Sequence, residues 1–443
     1  MGLGLSDWYW SSSQNNTNNV YNTNFNNVYM NNNNVNNNNS ARLSASFIIL
    51  KMLPSFKKVF FRSKMEKILK FEDLYEAYIL CLKNKKRKKG TYNFVNIDLC
   101  TNLYEILNEL NNKQYKPKPS NCYVITDPAL REIYAAQFKD RVIQHFYLKE
   151  IEDILESKFV KGCSSCRKGK GTDYALNLLK TYLVNTSNNG KDDCYYLKID
   201  LSGYFMSIDR KQVSLKFKNL IKNDYKGKHK QLLLYLTPII FEINPALNCK
   251  YKCSEKLRNL VPERRKMKPY SQYGMAIGNL TAQAASNLNL NDFDNFVVND
   301  LKFNQYVRYV DDAIIICKNK EKLKNAINKI KNKLNETHQI LNEKKTKIDT
   351  AYHGVKFLGK ISYPYGYQKT DKIVNKRLVF KAKTIKFKSN SNLLAKVNAQ
   401  IGTLKNYNCR KVIFNYNQNL QINAKKLLMF DKDELKFILN INK

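Results

Sequence analysis

An α+β fold is predicted from three features of the sequence. Residues Tyr306–Lys318 have the pattern of two short apolar strands joined by a tight turn, which carries Asp311 and Asp312. A further strand-like run, Tyr195–Ile199, lies upstream and is followed directly by Asp200. Apolar side chains at helical spacing occupy long stretches on both sides of these strands. The chain therefore combines short strands with amphipathic helices.

The helices are predicted from the period of their apolar side chains. Folded structure is expected to begin near Phe71, where the first apolar stripe starts. The same spacing then recurs along the chain, and a basic, helical region follows Tyr367. The predicted helices cover Leu74–Leu82, Leu103–Leu110, Phe138–Phe159 and Leu393–Leu404.

The three carboxylates are candidate metal ligands. Burying like charges side by side is costly, so a chain that presents them on a rigid turn needs cations nearby. If Asp200, Asp311 and Asp312 converge, they form a site for two hard divalent metals of the kind that phosphoryl transfer uses. An exposed acidic turn is the alternative for an isolated Asp–Asp pair, and the neighbouring motifs favour the metal site.

The charge of the chain points to a polyanionic partner. It carries 76 basic and 37 acidic residues, which gives a net charge of +39. A surplus of this size attracts polyanions, and nucleic acid is the first candidate. Lys greatly outnumbers Arg and Asn is abundant, which an A/T-rich coding sequence would also produce. The charge therefore supports nucleic-acid binding without establishing it.

Four boxes of the sequence resemble those of reverse transcriptases, in the same order and at ordinary spacing. Asp200, with Phe205 five positions later, is similar to the first catalytic box. Gly274–Gln283 resembles the box that follows. Tyr309–Asp312 is similar to the YxDD box, and Phe357–Gly359 resembles the primer-grip box.

The resemblance extends from about Phe71 to the C terminus. It implies a right-hand polymerase with fingers, an antiparallel-sheet palm and a small helical thumb. The implied activity is RNA-directed DNA polymerisation from deoxynucleoside triphosphates, with a template RNA and a cDNA primer as partners. We divide the chain accordingly into an Asn-rich disordered tail, a linker, the fingers with the palm, and a basic helical thumb, at residues 1–47, 48–70, 71–367 and 368–443.

The resemblance also implies a role for individual residues. Asp200, Asp311 and Asp312 are the implied catalytic carboxylates, and with the carbonyl of Leu201 they would bind two Mg²⁺ ions. Phe205 falls where polymerases place an aromatic ring that excludes a 2′-hydroxyl, although a core aromatic is the alternative. The other implied nucleotide-binding residues are Arg131, Ile277, Gln283 and Lys345. The implied template- or primer-binding residues are Arg167, Lys168, Lys170, Gly278, Phe357, Leu358 and Gly359.

Several of these assignments have plainer alternatives. Lys345 is the candidate general acid near the leaving pyrophosphate, and a solvated lysine is the alternative. The segment Cys166–Thr172 is expected to contact template or nucleotide, and a flexible basic loop is the alternative. Asp209 is expected to cap a helix that begins at Arg210 rather than to bind metal.

A subgroup of the family, the enzymes of diversity-generating retroelements, is resembled most closely. Cys166–Thr172 matches its CRKGKGT segment. Ile277 stands where most reverse transcriptases carry Gln, and because its side chain cannot donate a hydrogen bond, looser checking of the new base pair is expected. Asp127–Ile133 and Asp140–Gln144 resemble the fingers boxes of such enzymes, in which Arg131 reaches the triphosphate. The sequence departs from the usual pattern before this Arg and at Ala282.

The N-terminal region differs from the rest of the chain. More than half of Asn15–Asn39 is Asn, and no charged residue occurs between Asp7 and Arg42. Such a tract cannot bury enough apolar area to offset the entropy of ordering, so it is predicted to be disordered. Trp8–Phe47 resembles a translated template repeat of a diversity-generating retroelement, whose Asn codons suit mutation at adenines. A low-complexity tail without function is the alternative.

The subgroup resemblance implies one further partner, a small basic accessory protein that assembles as a ring. The alternatives are another bacterial reverse transcriptase, such as a retron, group II intron-type or phage-defence enzyme, or an inactive RNA-binding scaffold. No membrane span is expected, because the apolar run Ser46–Leu53 contains Lys51 and is far shorter than the ~20 residues that a span needs. The scattered cysteines do not form a recognised zinc set and indicate reduced thiols in a cytoplasmic protein.

Overall fold

The computed structural model describes residues 9–14, 19–24, 29–34, 69–82, 94, 98–126, 129–402, 410–431 and 436–440. The chain divides into two compact units. The first contains Met1–Lys118, Gln137–Lys149 and Gly227–Tyr235. The second contains Pro119–Ala136, Glu150–Lys226 and Leu236–Lys443, and all three predicted catalytic carboxylates lie in it. The linker at 48–68 and the residues Asp127 and Pro128 of a predicted fingers box lie outside the described residues.

The described helices are α1 (Phe71–Leu82), α2 (Leu99–Asn111), α3 (Phe138–Lys158), α4 (Thr172–Thr186), α5 (Tyr204–Ser207), α6 (Arg210–Asp224), α7 (Lys230–Phe241), α8 (Glu255–Asn259), α9 (Leu280–Asn289), α10 (Asn291–Asn295), α11 (Lys320–Asn335), α12 (Lys372–Lys383), α13 (Asn390–Gly402), α14 (Arg410–Gln418) and α15 (Ile422–Leu427). Four of them, α1, α2, α3 and α13, coincide with the predicted apolar stripes, and no stripe was predicted individually for the others. Short 3₁₀ turns cover Pro245–Leu247, Glu263–Arg265 and Ala351–His353, and a π-helical turn covers Phe296–Asp300.

The described strands form several small sheets. They are β1 (Tyr9–Gln14), β2 (Asn19–Asn24), β3 (Tyr29–Asn34), β4 (Ser120–Ile125), β5 (Arg131–Ala135), β6 (Tyr195–Asp200), β7 (Cys249–Tyr251), β8 (Tyr306–Tyr309), β9 (Asp312–Cys317), β10 (Lys347–Thr350), β11 (Val355–Phe357), β12 (Lys360–Ser362), β13 (Gln368–Thr370), β14 (Leu428–Asp431) and β15 (Lys436–Leu439). The sheet orders are β1-β2-β3, β10-β6-β9-β8, β5-β4-β7, β11-β12-β13 and β14-β15.

The Asn-rich region contributes the first of these sheets. Strands β1, β2 and β3 pair antiparallel with their neighbours. They are the described part of residues 1–47, and the other residues of this tail lie outside the described ranges. Disorder of the tail as a whole therefore stays a prediction.

The first unit contains the predicted helices α1 and α2. Asp98 begins α2 as its N-cap, because a side-chain oxygen accepts a hydrogen bond from the Thr101 amide at 3.0 Å. The rings of Tyr78, Phe94 and Phe138 lie 5.0–6.5 Å apart between centroids. The predicted stripe of α2 is buried, at Leu103, Ile106, Leu107 and Leu110. That of α1 is buried only in part: Leu74 and Tyr78 are buried as predicted, whereas the predicted Ile79 is exposed and Ala77 and Cys81 are buried instead.

The second unit is built around the antiparallel sheet β10-β6-β9-β8. The predicted hairpin is confirmed, since β8 pairs with β9, and β9 pairs with β6 so that Asp312 lies opposite Asp200. The strands alternate large apolar side chains such as Ile314 and Ile316, which pack with the buried stripe of α4. Helix α11 also contacts strands β6, β9 and β10. This packing makes one end of the sheet a firm platform for the acidic turn.

The described C-terminal region is mainly helical, but the segment predicted as a helical thumb, residues 368–443, also contains three strands. Gln368–Thr370 forms β13, which pairs with β12 before the predicted boundary, and the hairpin β14-β15 lies near the end of the chain. Helices α12 to α15 and the hairpin β14-β15 share one apolar core. The predicted stripe supplies three of its fully buried members, Leu393, Val397 and Ile401. Loop residues 403–409 and 432–435 lie outside the described residues.

A glycine is required where one segment approaches β8. Gly162 accepts a hydrogen bond from the Arg308 amide at 2.9 Å, and Ser164 donates one to the Arg308 carbonyl at 2.9 Å. A Cβ atom on Gly162 would overlap the Tyr306 carbonyl oxygen and lie 2.9 Å from the carbonyl carbon. Because backbone cannot move aside as a side chain can, this position tolerates no larger residue.

We therefore expect Gly162→Ala to lower the free energy of unfolding by about 2 kcal/mol, the usual size of an overpacking penalty. Gly402→Ala is the matched control, since a Cβ there would meet no atom within 4 Å. Urea unfolding of the three proteins measures the difference. Equal midpoints for the two variants would contradict the close approach.

Candidate active site

The acidic turn joins β8 to β9 and consists of Val310 and Asp311. Val310 adopts φ 58°, a left-handed conformation that a β-branched residue rarely takes. Its amide donates a hydrogen bond to Ser165 Oγ at 3.1 Å, and its carbonyl accepts one from Arg308 at 2.8 Å. The turn is thus held from both sides in a strained conformation, and it presents Asp311 at the end of the sheet.

The three predicted carboxylates meet at this end. Asp200 is buried and ends β6, while Asp311 and Asp312 are half-buried. Burial, together with the charges of Asp312 and Asp200, raises the pKa of Asp311 to about 6. Burial likewise raises the pKa of Asp312, and the charge of Asp200 adds to this, against the opposing effect of Lys198. Such an excess of negative charge is what a bound cation relieves.

Lysine and asparagine side chains partly neutralise this charge. Lys345 Nζ lies 3.1 and 3.0 Å from the two oxygens of Asp200, and Asn342 Nδ2 lies 2.8 Å from Oδ1. Both residues are placed by backbone hydrogen bonds, because Asn342 donates to the Asp200 carbonyl and Ser202 donates to that of Ile340. Lys198 Nζ lies 3.8 Å from Asp312 Oδ1. Lys345 is therefore part of the site, and its role as general acid stays a prediction.

The residues fit a divalent cation. Within the described part of the chain, Asp312 Oδ1 is buried without a hydrogen-bond partner. Carboxylate oxygens are the ligands that Mg²⁺ prefers, and an unpartnered buried one is costly unless a cation approaches it. Among the described residues, no three Asp, Glu, His or Cys side chains lie in metal-binding geometry. At this site the Asp200 carboxylate is bound by Lys345 and Asn342 instead.

A cavity of about 410 Å³ opens in front of the carboxylates. It brings together most of the residues predicted to bind metal or nucleotide, namely Arg131, Asp200, Leu201, Phe205, Ile277, Asp311 and Lys345. Two predicted residues are not among those lining the cavity: Asp312, which lies beside Asp311, and Gln283, which is exposed on α9. Sequence reasoning missed Arg264, Arg265 and Asn342, which also line it. The run Glu263–Lys266 was the available signal for the two arginines, but a basic run is usually a solvated surface.

Phe205 and Ile277 are fixed in the cavity wall by backbone contacts. The carbonyl of Phe205 accepts a hydrogen bond from Met275 at 2.7 Å, and that of Ile277 accepts one from Tyr134 at 2.8 Å. Gly278 follows with φ 123°, and a Cβ there would lie 2.8 Å from Ile133 Cγ2. Gly278 therefore allows this segment to pack against β5, whatever contact with template it makes.

The predicted template loop contains one anchored and two less restrained basic residues. Arg167 donates to both carboxylate oxygens of Glu156 and to the carbonyls of Val160 and Cys163, at 2.7–3.1 Å. Its side chain is 5% exposed, so it fixes the base of the loop. Lys168 is exposed, and Lys170 Nζ lies 5.2 Å from the ring centre of Tyr174. These two lysines are better placed for a template than Arg167 is.

The predicted primer grip is a tight hairpin. Strands β11 and β12 pair through Phe357 and Lys360, and the two residues between them have φ 46° at Leu358 and φ 77° at Gly359. Two successive positive φ values match a two-residue turn that follows the twist of the strands. Phe357 is buried in the core that α4 shares with the sheet, so Leu358 and Gly359 are the two partly exposed residues of the predicted primer grip.

A known family corresponds to this arrangement. The model of the family described as "Reverse transcriptase (RNA-dependent DNA polymerase)" matches residues 116–361, more than half of the 443 residues. The chain belongs to the reverse transcriptase family. The predicted α+β, right-hand polymerase fold is thereby confirmed, with the antiparallel sheet as the palm of this reverse transcriptase.

Solved structures similar to this reverse transcriptase include three structures of telomerases from two Candida species. Apo telomerase from Candida tropicalis is 13% identical with a TM-score of 0.45, and the match covers 69% of this chain and 57% of that one. The form of this telomerase truncated from the C-terminal domain is 17% identical with a TM-score of 0.42, and the match covers 58% of this chain and 56% of that one. Telomerase from Candida albicans in complex with a fragment of telomeric RNA is 13% identical with a TM-score of 0.41, and the match covers 71% of this chain and 61% of that one. The chain thus spans less than two thirds of each telomerase that it matches.

Comparison with curated proteins finds no match. Among the helices of the described residues, none combines the length and apolar character needed to cross a membrane. The nine described cysteines are all free thiols.

Proposed function

We propose that this reverse transcriptase is an active RNA-directed DNA polymerase. The observation that carries the proposal is the meeting of Asp200, Asp311 and Asp312 at the end of one sheet, where Asp200 and Asp311 line a cavity together with Arg131 and Lys345. An inactive scaffold would have no need to keep strained backbone and unrelieved negative charge at this place. Family membership supports template RNA and deoxynucleoside triphosphates as the substrates.

The residues of the cavity divide the work of phosphoryl transfer. Asp200, Asp311 and Asp312, with the carbonyl of Leu201, would hold two Mg²⁺ ions, which polarise the attacking hydroxyl and neutralise the leaving group when bound. Arg131 offers a planar donor pair for a triphosphate, and Arg264 stands in the same wall. Lys345 places its Nζ within the cavity, where it can donate a proton to the leaving pyrophosphate. Phe205 restricts the space beside the sugar.

The test is extension of a DNA primer on an RNA template by the purified full-length chain. Deoxynucleotide-dependent extension in the presence of Mg²⁺ is expected, and its loss in Asp311→Ala assigns it to this site. Tight RNA binding without extension by the wild-type protein would instead favour the scaffold.

We further propose that the enzyme serves a diversity-generating retroelement and copies adenines with errors. Ile277 supports this, because it lines the cavity and its backbone is fixed by the hydrogen bond from Tyr134, so its aliphatic side chain stays beside the nascent pair. The CRKGKGT segment adds to the support. A retron, intron-type or phage-defence enzyme is the second candidate within the same family.

Replacing Ile277 by Gln restores an amide donor at this position, and we expect misincorporation opposite template adenine to fall by about 10-fold, the value of one hydrogen bond to the new pair. Sequencing of extension products from a defined RNA template measures the error spectrum. Ile277→Leu is the matched control and should keep the wild-type spectrum. An identical spectrum in all three proteins would contradict the role.

The N-terminal segment and the partners belong to the same proposal. Trp8–Phe47 would carry the template information as RNA, and the enzyme would act in the cytoplasm with a small basic ring-forming protein. A near-copy of this segment elsewhere in the locus, differing mainly at adenines, is expected from sequencing of the flanking DNA. Without such a copy, the retroelement role fails while the polymerase role stands.

A further inference from the structure

A buried ion pair lies beneath the acidic turn. Arg308 on β8 donates to both oxygens of Asp294, from Nε at 2.7 Å and from Nη2 at 2.6 Å. The two side chains are 1% and 0% exposed, and Tyr306 Oη donates to the same carboxylate at 2.6 Å. Two parallel hydrogen bonds to one carboxylate fix the guanidinium in one orientation. Removing either partner would leave a buried charge without compensation.

The fixed guanidinium reaches the backbone of the turn. Arg308 Nη1 donates to the Val310 carbonyl at 2.8 Å, on the opposite side from its contact with Asp294. The Val310 amide donates to Ser165 Oγ at 3.1 Å. Both polar backbone groups of Val310 are therefore bound by buried side chains, one from the same strand and one from a distant segment.

The second anchor is itself held in place. Ser165 is 1% exposed, and its hydroxyl donates to Asn287 Oδ1 at 3.1 Å. Asn287 Nδ2 donates in turn to the Ser165 carbonyl at 2.7 Å. Asn287 lies on α9, so the anchor joins the acidic turn to the helix that follows Gly278. On the other side of this contact, the segment that contains Ser165 continues directly into the loop with Lys168 and Lys170.

The contacts to Val310 hold its backbone in a strained conformation. A β-branched residue at φ 58° tends to relax toward negative φ, and Asp311 is repelled by its acidic neighbours. Since Asp311 follows Val310 directly, movement of the Val310 backbone would change the position of the Asp311 carboxylate. The anchors oppose this movement without touching substrate or the reacting atoms.

We propose that Ser165, Arg308 and Asp294 are positioning residues that hold Asp311 in its cation-binding orientation by fixing both backbone polar groups of Val310. The proposal rests on the polymerase function proposed above. It concerns how the carboxylate is placed, and it assigns no chemical step to the three residues.

The sequence offers a matched pair of variants. Ser164 and Ser165 are adjacent and equally buried, but Ser164 Oγ donates to the Gly162 carbonyl at 2.9 Å, whereas Ser165 Oγ accepts from the acidic turn. Each is replaced by Ala in the full-length chain. Mn²⁺, a spectroscopic substitute for Mg²⁺, is then titrated into each protein bound to a primer–template, and free Mn²⁺ is measured by electron paramagnetic resonance.

We expect Ser165→Ala to weaken Mn²⁺ binding by about 10-fold, as loss of an outer support of a metal ligand does, and Ser164→Ala to bind like the wild type. The Mg²⁺ concentration for half-maximal extension should rise by a similar factor in Ser165→Ala alone. The thermal midpoint of Ser165→Ala should be the lower of the two, because Ser165 Oγ makes two hydrogen bonds and Ser164 Oγ makes one, so Mn²⁺ is titrated well below both midpoints. Equal Mn²⁺ affinity in both variants would overturn the proposal.

Arg308→Lys gives a second measurement that keeps the charge beside Asp294. A lysine ammonium lacks the planar fork, so it cannot bind Asp294 at two points and reach the Val310 carbonyl as well. Weakened Mn²⁺ binding with the primer–template affinity unchanged is expected, and wild-type Mn²⁺ binding would count against the anchor. If the wild-type protein does not extend a primer, the polymerase function fails, and the Mn²⁺ comparison still tests the positioning.

Discussion

Asp311→Asn is expected to abolish primer extension, by at least about 10³-fold, while making the metal-free protein more stable. The activity is lost because an amide cannot replace a carboxylate as a ligand of two divalent cations. The stability rises because Asp311 is half-buried beside Asp312 and Asp200, so neutralising it removes repulsion. Opposite changes in activity and stability are the mark of a residue kept for function.

The stability gain has a defined pH dependence. The pKa of Asp311 is raised from 3.8 to about 6 in the folded chain, so folding favours the protonated form. The wild-type protein therefore has this stability below about pH 4 and loses it as the pH rises through 6. Asn keeps the favourable neutral form at every pH, so its advantage should be largest at pH 7–8 and vanish near pH 4.

Urea unfolding in a chelating buffer across this pH range measures the difference, for which about 1–2 kcal/mol is expected at neutral pH after allowance for solvent screening. Asp153→Asn, at an exposed position of α3, is the control and should change neither extension nor stability. Extension by Asp311→Asn at more than a tenth of the wild-type rate would place the chemistry elsewhere.

Phe205→Ala is expected to reduce discrimination against ribonucleotides by about 100-fold, because it opens the space beside the sugar. The ring is half-buried and packs edge-on against Tyr204, with centroids 5.4 Å apart, and the Phe205 carbonyl is held by Met275. Its backbone should stay in place when the ring is removed. The effect should therefore fall on sugar choice rather than on folding.

Single-nucleotide incorporation with dATP and ATP gives kcat/KM for each substrate and hence the discrimination. Phe205→Tyr keeps a ring of similar size and should retain the wild-type preference. A loss of deoxynucleotide incorporation in Phe205→Ala without any gain for ribonucleotides would identify the ring as a core element instead.

The catalytic carboxylates could be predicted from sequence because their chemistry is local. Two adjacent Asp residues between apolar strands already specify a turn, and a third Asp at the end of another strand needs only one antiparallel pairing to join them. The amphipathic helices were equally accessible, because one buried face imposes a visible period. Asp209 also acts as predicted, since its Oδ1 accepts hydrogen bonds from the Lys211 and Gln212 amides at the start of α6.

The remaining features depend on contacts between distant segments. Asn342 reaches Asp200 only because residues 340–342 lie beside 200–202 in the fold, and no local pattern announces this. Arg167 has the composition of a template contact, yet Glu156 and nearby carbonyls hold it within the protein. Gly278 likewise follows a family box, while the close approach of β5 gives it a second, structural reason. Sequence supplies residue types here, and three-dimensional neighbours decide their use.

The contact of Lys345 with Asp200 bears on the resting enzyme. A lysine attached to the chain is a tethered counter-ion, which cannot diffuse away as a dissolved cation can. When no Mg²⁺ is bound, Lys345 therefore still neutralises part of the negative charge of the carboxylates, whatever the salt concentration. A shortage of magnesium in a cell would then stop synthesis while the protein stays folded, and synthesis would resume once Mg²⁺ binds again.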